Sequence, residues 1–239
     1  MGASGEAPGH FLWSREKQAT RQRPPASRHN PSVKLPAIRM AAAAVRASLT
    51  DSLLSSASLD FGVGGGVMCY SNPREALPAD LETIDAAKLG LSGGSVGTEA
   101  AQVMVALVLI ARGALDAAHD IVGGLSSAEA TWAHAIIHRR EGRAAGEAGL
   151  PGYSNSRYWF GCLGAHELFP LVQEFVAAHP VAPRELKAQS EWDPAKFIGL
   201  CDRSERSGSD VGIAFCVDVQ RREWELLYDH CAKLAGCEG

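Results

Sequence analysis

The chain has 239 residues, enough for one domain with extensions or for two small domains. Hydrophobic residues make up 46% and charged residues 21%, which supports a packed core rather than a disordered polyelectrolyte. A formal net charge of −4 excludes the basic footprint of a nucleic-acid-binding protein, and no apolar run approaches the roughly 18 residues needed to span a bilayer.

Residues 1–50 carry eight basic groups and two acidic ones, against 15 basic and 25 acidic in the rest of the chain. Pro24, Pro25, Pro31 and Pro36 break any helix there, so a disordered basic extension is expected. Its richness in Ala, Ser and Pro and its scarcity of acids match an organelle transit peptide. That reading directs the protein to a plastid or mitochondrion. A plain disordered tail on a cytoplasmic protein, or translation from upstream of a start at Met40, accounts for the same composition. No apolar stretch of a secretory signal occurs in the first 40 residues.

Residues 51–97 have no clear period and read as a poorly ordered linker or irregular segment. The stretch FGVGGGV (61–67) has the glycines of a phosphate loop. It lacks the Lys-Ser/Thr ending and the strand–helix setting, so a linker is the better reading.

From residue 98 to the end the pattern becomes that of one helical domain, with a low-complexity insertion at 143–152. TEAAQVMVALVLIARG (98–113) reads as a buried helix, capped by Thr98 and stopped at Gly113. Leu115 to Val122 forms a second short helix, ended by Gly123 and Gly124. Ser126 and Glu129 have capping-box spacing and open a third helix running through Glu141 to Gly142. A fourth helix is expected from Asn155 to Leu163 and a fifth from Phe169 to Ala178. Asp193 caps a sixth, with Pro194 in its first position and Phe197, Ile198 and Cys201 along it. In the last, Ile213, Val217, Gln220, Trp224, Leu227, Cys231 and Leu234 recur at steps of four and three. The fold expected is all-α, a compact bundle of about six to seven helices in a helical-hairpin arrangement. None of the six cysteines falls in a CxxC pair, so they read as reduced thiols filling the core.

The third helix carries the chemistry. At 100° per residue, Trp132, Ala133, Ile136 and Ile137 share one arc, while His134, His138 and Glu141 share the adjoining one. Arg140 points into the apolar arc and Arg139 lies at its edge. His134 and His138 stand one turn apart, a spacing that lets two imidazoles reach one metal ion. The glutamate that activates water between such histidines in zincins is absent here. A third ligand must come from another helix, with His119 the first candidate and His166 the second. The alternative is structural: His119 bonds Glu141 or a carbonyl, and an arginine pairs Glu141 or Asp120 to lock helices together. Arg139 and Arg140 also offer forked donors to a small anion. Asn155, Tyr158, Trp159 and Cys162 share an arc of the fourth helix and read as core or as a stacking platform.

HAIIHRREG (134–142), SNSRYWF (154–160) and GAH (164–166) resemble a family of small bacterial, fungal and algal proteins. Their pattern is a tryptophan and HxxxHRREGD, followed by NAxYWF and GxHP. LDAAHDIV (115–122), WDPAKFIGLC (192–201) and QRREWELLYDHC (220–231) are similar to its flanking helices, so the resemblance spans about 115–231. The residues it matches are His119, His134, His138, Arg139, Arg140, Glu141, Asn155, Tyr158 and Trp159. Arg143 stands where the family has aspartate, Gly161 and Cys162 replace a basic pair, and Glu167 replaces the proline. That family carries no established activity, so the resemblance implies shared structure more than function. A helix, a turn and a YWF-type helix are also similar to Sel1-like helical repeats, which implies a hairpin scaffold.

Two functions fit these observations. One is a scaffold or interaction protein with a protein partner, no cofactor and a structural His/Arg/Glu cluster. The other is a small metal-dependent or acid–base enzyme. It would have His134, His138 and Glu141 in catalysis and His119, His134 and His138 holding a zinc or iron ion. Arg139, Arg140, Asn155, Tyr158 and Trp159 would then hold a small anionic ligand. Neither nucleic acid nor membrane is an expected partner. The discriminating observation is whether the three imidazoles converge on a common point.

Overall fold

The structure is a computed structural model that describes residues 84–87, 89, 91, 98–143 and 151–236. Eight helices hold 73% of these residues, and no strand occurs among them. They are α1 (Glu99–Ala111), α2 (Leu115–Gly123), α3 (Ala128–Glu141), α4 (Gly152–Leu163), α5 (Phe169–Ala178), α6 (Arg184–Lys187), α7 (Pro194–Ser207) and α8 (Asp210–Leu234). The all-α architecture expected from the sequence is therefore what forms. No helix among the described residues is long and apolar enough to cross a membrane. The expectations for residues 1–50 lie outside the described residues.

α1 is the apolar hub. Ala101 and every residue from Val103 to Ala111 are buried, so the helix is enclosed by α2, α3 and α8. Thr98 caps it, its Oγ1 accepting the Ala101 amide at 3.1 Å. At its other end Arg140 of α3 donates Nη1 to the Ile110 carbonyl at 2.5 Å. That carbonyl belongs to the last turn, where it also accepts the Gly113 amide at 3.1 Å and the dipole favours a cation. Trp224 of α8 donates its indole N–H to the Leu107 carbonyl at 2.7 Å, joining α8 to α1.

The start of the domain lies earlier than residue 98. Ala86, Leu89 and Leu91 are buried in the same core, in a turn where the Leu89 and Leu91 amides bond the Ala86 carbonyl at 3.1 Å. That part of 51–97 is irregular but is packed, not a linker.

The cap of α3 differs from the expected capping box. Ser127 is the cap, its Oγ accepting the Ala130 amide at 3.2 Å. Ser126 is held instead by Glu99, whose carboxylate takes the Ser126 amide at 3.2 Å, its hydroxyl at 3.1 Å and the Ser127 amide at 2.8 Å. Burial raises the Glu99 carboxyl, but the hydrogen bonds from Ser126 and Ser127 outweigh it and hold it below the usual range. A group depressed in the folded state stabilises above its unfolded value, about 4.3, and loses that contribution as pH falls toward the folded value. Glu99→Gln should therefore melt below the parent protein at pH 7, and the two melting temperatures should converge on titration toward pH 3. A gap that stays constant over that range would assign the effect to packing alone.

The α3–α4 pair forms a tight hairpin. Residues 144–150 of the expected insertion lie outside the described residues, but Gly152 is not a spacer. It opens α4, which starts three residues before Asn155, and a Cβ at Gly152 would come within 2.4 Å of the His138 carbonyl oxygen. Ser156 then donates to the Ala135 carbonyl at 2.8 Å, one turn further along.

α5 occupies the expected span. The short α6 was not anticipated; it buries Leu186, whose carbonyl accepts from Gln173 of α5 at 3.0 Å. Asp193 caps α7 as expected, accepting the Ala195 and Lys196 amides at 3.0 and 3.2 Å. Gly208 turns the chain into α8 with φ of +63°, a left-handed conformation that glycine adopts without a Cβ penalty. On α8, Gln220, Trp224, Leu227 and Cys231 are buried, but Leu234 is 54% exposed. A register averaging 3.5 residues drifts off a face that repeats every 3.6, so the expected stripe leaves the core at its end. Cys201, Cys216 and Cys231 are buried free thiols, and Cys162 is an exposed one.

Candidate metal centre

Every residue of α3 from Ala130 to Glu141 is buried. A helix enclosed on all sides is normally apolar throughout. This one carries two histidines, two arginines and a glutamate in its last two turns, so each polar group must find a partner.

The arginines find theirs in the core. Arg139 is fully buried and donates Nε to Gln220 Oε1 at 3.0 Å and Nη2 to Glu223 Oε2, both on α8. Its guanidinium lies 4.9 Å from the Phe197 ring centroid and 5.7 Å from that of Phe160. Burial pushes the Glu223 carboxyl up, and Arg139 offsets only part of that rise. Arg140 is spent on the end of α1. These two side chains, expected to hold a small anionic ligand, meet groups of α1 and α8 instead. Both guanidiniums point between helices, at only 0% and 3% residue exposure.

The histidines converge. His119 comes from α2, and His134 and His138 from successive turns of α3. The Nε2 atoms of His119 and His134 are 3.0 Å apart. Ring centroids lie 4.5 Å (His119–His134), 4.9 Å (His134–His138) and 5.3 Å (His119–His138) apart. One nitrogen from each lies within 4.8 Å of the others, so the three rings turn toward one shared space. Glu141 accepts from His138 Nδ1 at 2.7 Å, fixing the ring so that Nε2 carries the lone pair. Burial first, then His119 and His138, push His134 down to about 2, so its ring is neutral near neutral pH.

Trp159 of α4 covers this cluster. Its ring stacks on His134 at 3.8 Å between centroids with a 21° tilt. Tyr158 is 47% exposed and meets Trp159 edge-on at 5.5 Å, on the solvent side. Asn155 is half-buried one turn before Trp159. Of the expected site residues, His119, His134, His138, Glu141 and Trp159 are thus brought together. Arg139 and Arg140 are drawn away, and Tyr158 is peripheral.

His166, the second candidate for a third ligand, goes elsewhere. It faces Glu129 in the first turn of α3 at 3.7 Å, and Glu129 also meets His230 of α8 at 3.2 Å. Glu129, which the sequence offers only as half of a capping box, and Glu223 and His230 are not read as site residues from the sequence. The signal for Glu223 was present, since Cys216, Gln220, Glu223 and Leu227 keep helical spacing on α8 and a carboxylate inside such a stripe needs a buried cation. Comparison with protein-family models, with curated proteins and with solved structures finds no match for this chain.

Proposed function

We propose that this protein is a small helical metalloprotein that holds a zinc or iron ion on His119, His134 and His138. The convergence of three imidazoles from two helices carries this reading. Tetrahedral bonds of about 2.0–2.1 Å keep ligand nitrogens about 3.3 Å apart. The 3.0 Å between His119 and His134 Nε2 is within a few tenths of that. Glu141 has the place of an outer-sphere carboxylate, orienting His138 and raising its basicity. Three protein nitrogens leave one position for water or substrate, the arrangement of catalytic rather than structural zinc. The reaction class this supports is metal-assisted hydrolysis or hydration of a small substrate, with the ion lowering the pKa of bound water. The stacked Trp159 limits the size of what can enter beside His134.

Metal analysis of the purified full-length chain should find close to one equivalent at this centre, lost in His134→Ala/His138→Ala. Glu141→Gln should retain the fold and bind the ion 10–100-fold more weakly. Adding azide to the cobalt-substituted protein should change its visible spectrum, because an open position accepts the anion. Metal content unchanged by the double histidine substitution would overturn the assignment.

A second reading rests on one observation. The His119–His134 contact is itself of hydrogen-bond length, so the pair can serve as a neutral polar strut in a scaffold protein. On that reading no metal copurifies, none binds on titration at this centre, and Glu141→Gln lowers the melting temperature.

A further inference from the structure

We propose that Glu129, His166 and His230 form a second metal-binding centre, separate from the three-histidine cluster. The donors come from three places: Glu129 from the first turn of α3, His166 from the α4–α5 loop and His230 from α8. Glu129 Oε1 is 3.2 Å from His230 Nε2 and 3.7 Å from His166 Nε2. One ligand atom from each lies within 4.8 Å of the other two, and the two imidazole centroids are 5.6 Å apart. Two imidazoles and one carboxylate are the donor set of zinc hydrolases and of non-haem iron(II) centres with open positions.

The site is recessed but not closed. The side chains of His166, Glu129 and His230 are 4%, 14% and 14% exposed. Glu167 stands over them with its side chain 74% exposed and Oε1 3.5 Å from His230 Nε2. This places a second carboxylate at the entrance, where it can draw in a cation and complete its shell. The two centres occupy different faces of α3. Glu129 precedes His134 by five residues, which at 100° per residue is about 140° around the helix. Their aromatic supports differ as well. Trp132 and Phe169 hold the His166 ring at 4.8 and 6.0 Å, whereas Trp159 holds His134. The centre therefore adds a carboxylate where the first has only neutral nitrogens, and it suits a harder divalent ion.

Loading the centre has a definite proton consequence. The Leu168 amide donates to His166 Nδ1 at 3.2 Å, so the neutral ring carries its proton on Nε2, facing Glu129. An ion on Nε2 needs that lone pair. The ring proton moves to Nδ1, the Leu168 amide gives up its acceptor, and no net proton is released from the ring.

The test is calorimetric titration of the metal-stripped full chain with Zn2+, together with nitrogen NMR of the histidine side chains. Two equivalents are expected for the parent. Glu129→Gln/His230→Ala should lose one, and His134→Ala/His138→Ala should lose the other. Failure of the first centre alone would appear as a single equivalent that vanishes only in the Glu129/His230 variant. A stoichiometry indifferent to Glu129 and His230 overturns the second centre and leaves the first standing. Should that variant fail to fold, the parent still decides. His166 must change from the Nε2–H to the Nδ1–H tautomer at saturating Zn2+, and a ring that stays Nε2–H overturns the proposal.

Discussion

Glu223→Ala should lower the melting temperature by roughly 10–15 °C. Arg139 and Glu223 are both wholly buried, one on α3 and one on α8, and they are each other's charge partner. Removing one member of such a pair leaves an uncompensated charge in the core, at a cost of about 3–5 kcal/mol. In a domain of this size each kcal/mol is worth roughly 3 °C. Gln220 stays on Nε, so the loss falls on the guanidinium end that Glu223 faces. Arg139→Met/Glu223→Leu should recover most of the loss, because desolvating two charges offsets much of what their attraction supplies. Phe160 and Phe197, which now face the guanidinium, would pack on the methionine. Thermal melts of the three variants check this; a single substitution costing less than about 1 kcal/mol would mean that the pair does not brace α3 against α8.

Gly152→Ala should cost about 2–3 kcal/mol and weaken metal binding at the three-histidine centre. The added Cβ would lie 2.4 Å from the His138 carbonyl oxygen, 2.6 Å from Glu141 Cβ and 3.0 Å from the Gly142 amide. Two of those atoms are backbone, so the strain cannot be relieved by turning a flexible side chain. α4 must retreat from the last turn of α3, which displaces the residue pair that orients one imidazole. Gly161→Ala is the control. Nothing lies within 4 Å of a Cβ there, and within a helix alanine is favoured over glycine by about 0.5–1 kcal/mol. The two substitutions should therefore move the melting temperature in opposite directions, and only Gly152→Ala should change the zinc affinity. Equal effects would show that the α3–α4 crossing tolerates a methyl group.

Much of the fold was legible because helix signals are local. Thr98 and Asp193 each sit one residue before a helix and bond its first amides. Phe169–Ala178 forms as read. Misreadings arose where a distant group competed with a local one. Ser126 had the right spacing for a cap, but the Glu99 carboxylate reached it from α1. α6 was missed because four residues are too few for a periodic signal. The irregular stretch around Leu89 gave no periodicity either, yet its side chains reach the core.

The same division holds for the site. A helical turn between His134 and His138, with Glu141 beside them, follows from 100° per residue and needs no knowledge of the rest of the chain. That spacing made the cluster visible in the sequence. Which groups complete it is a matter of packing between segments far apart in the chain. His119 arrives because α2 folds back on α3, and His166 is diverted to Glu129 and His230 because its loop lies on the other side of the helix. Arg139 is taken by Glu223, 84 residues away. Local periodicity determines which face a side chain occupies. Only the tertiary arrangement decides what that face meets, because the partners are chosen by the burial of every helix at once.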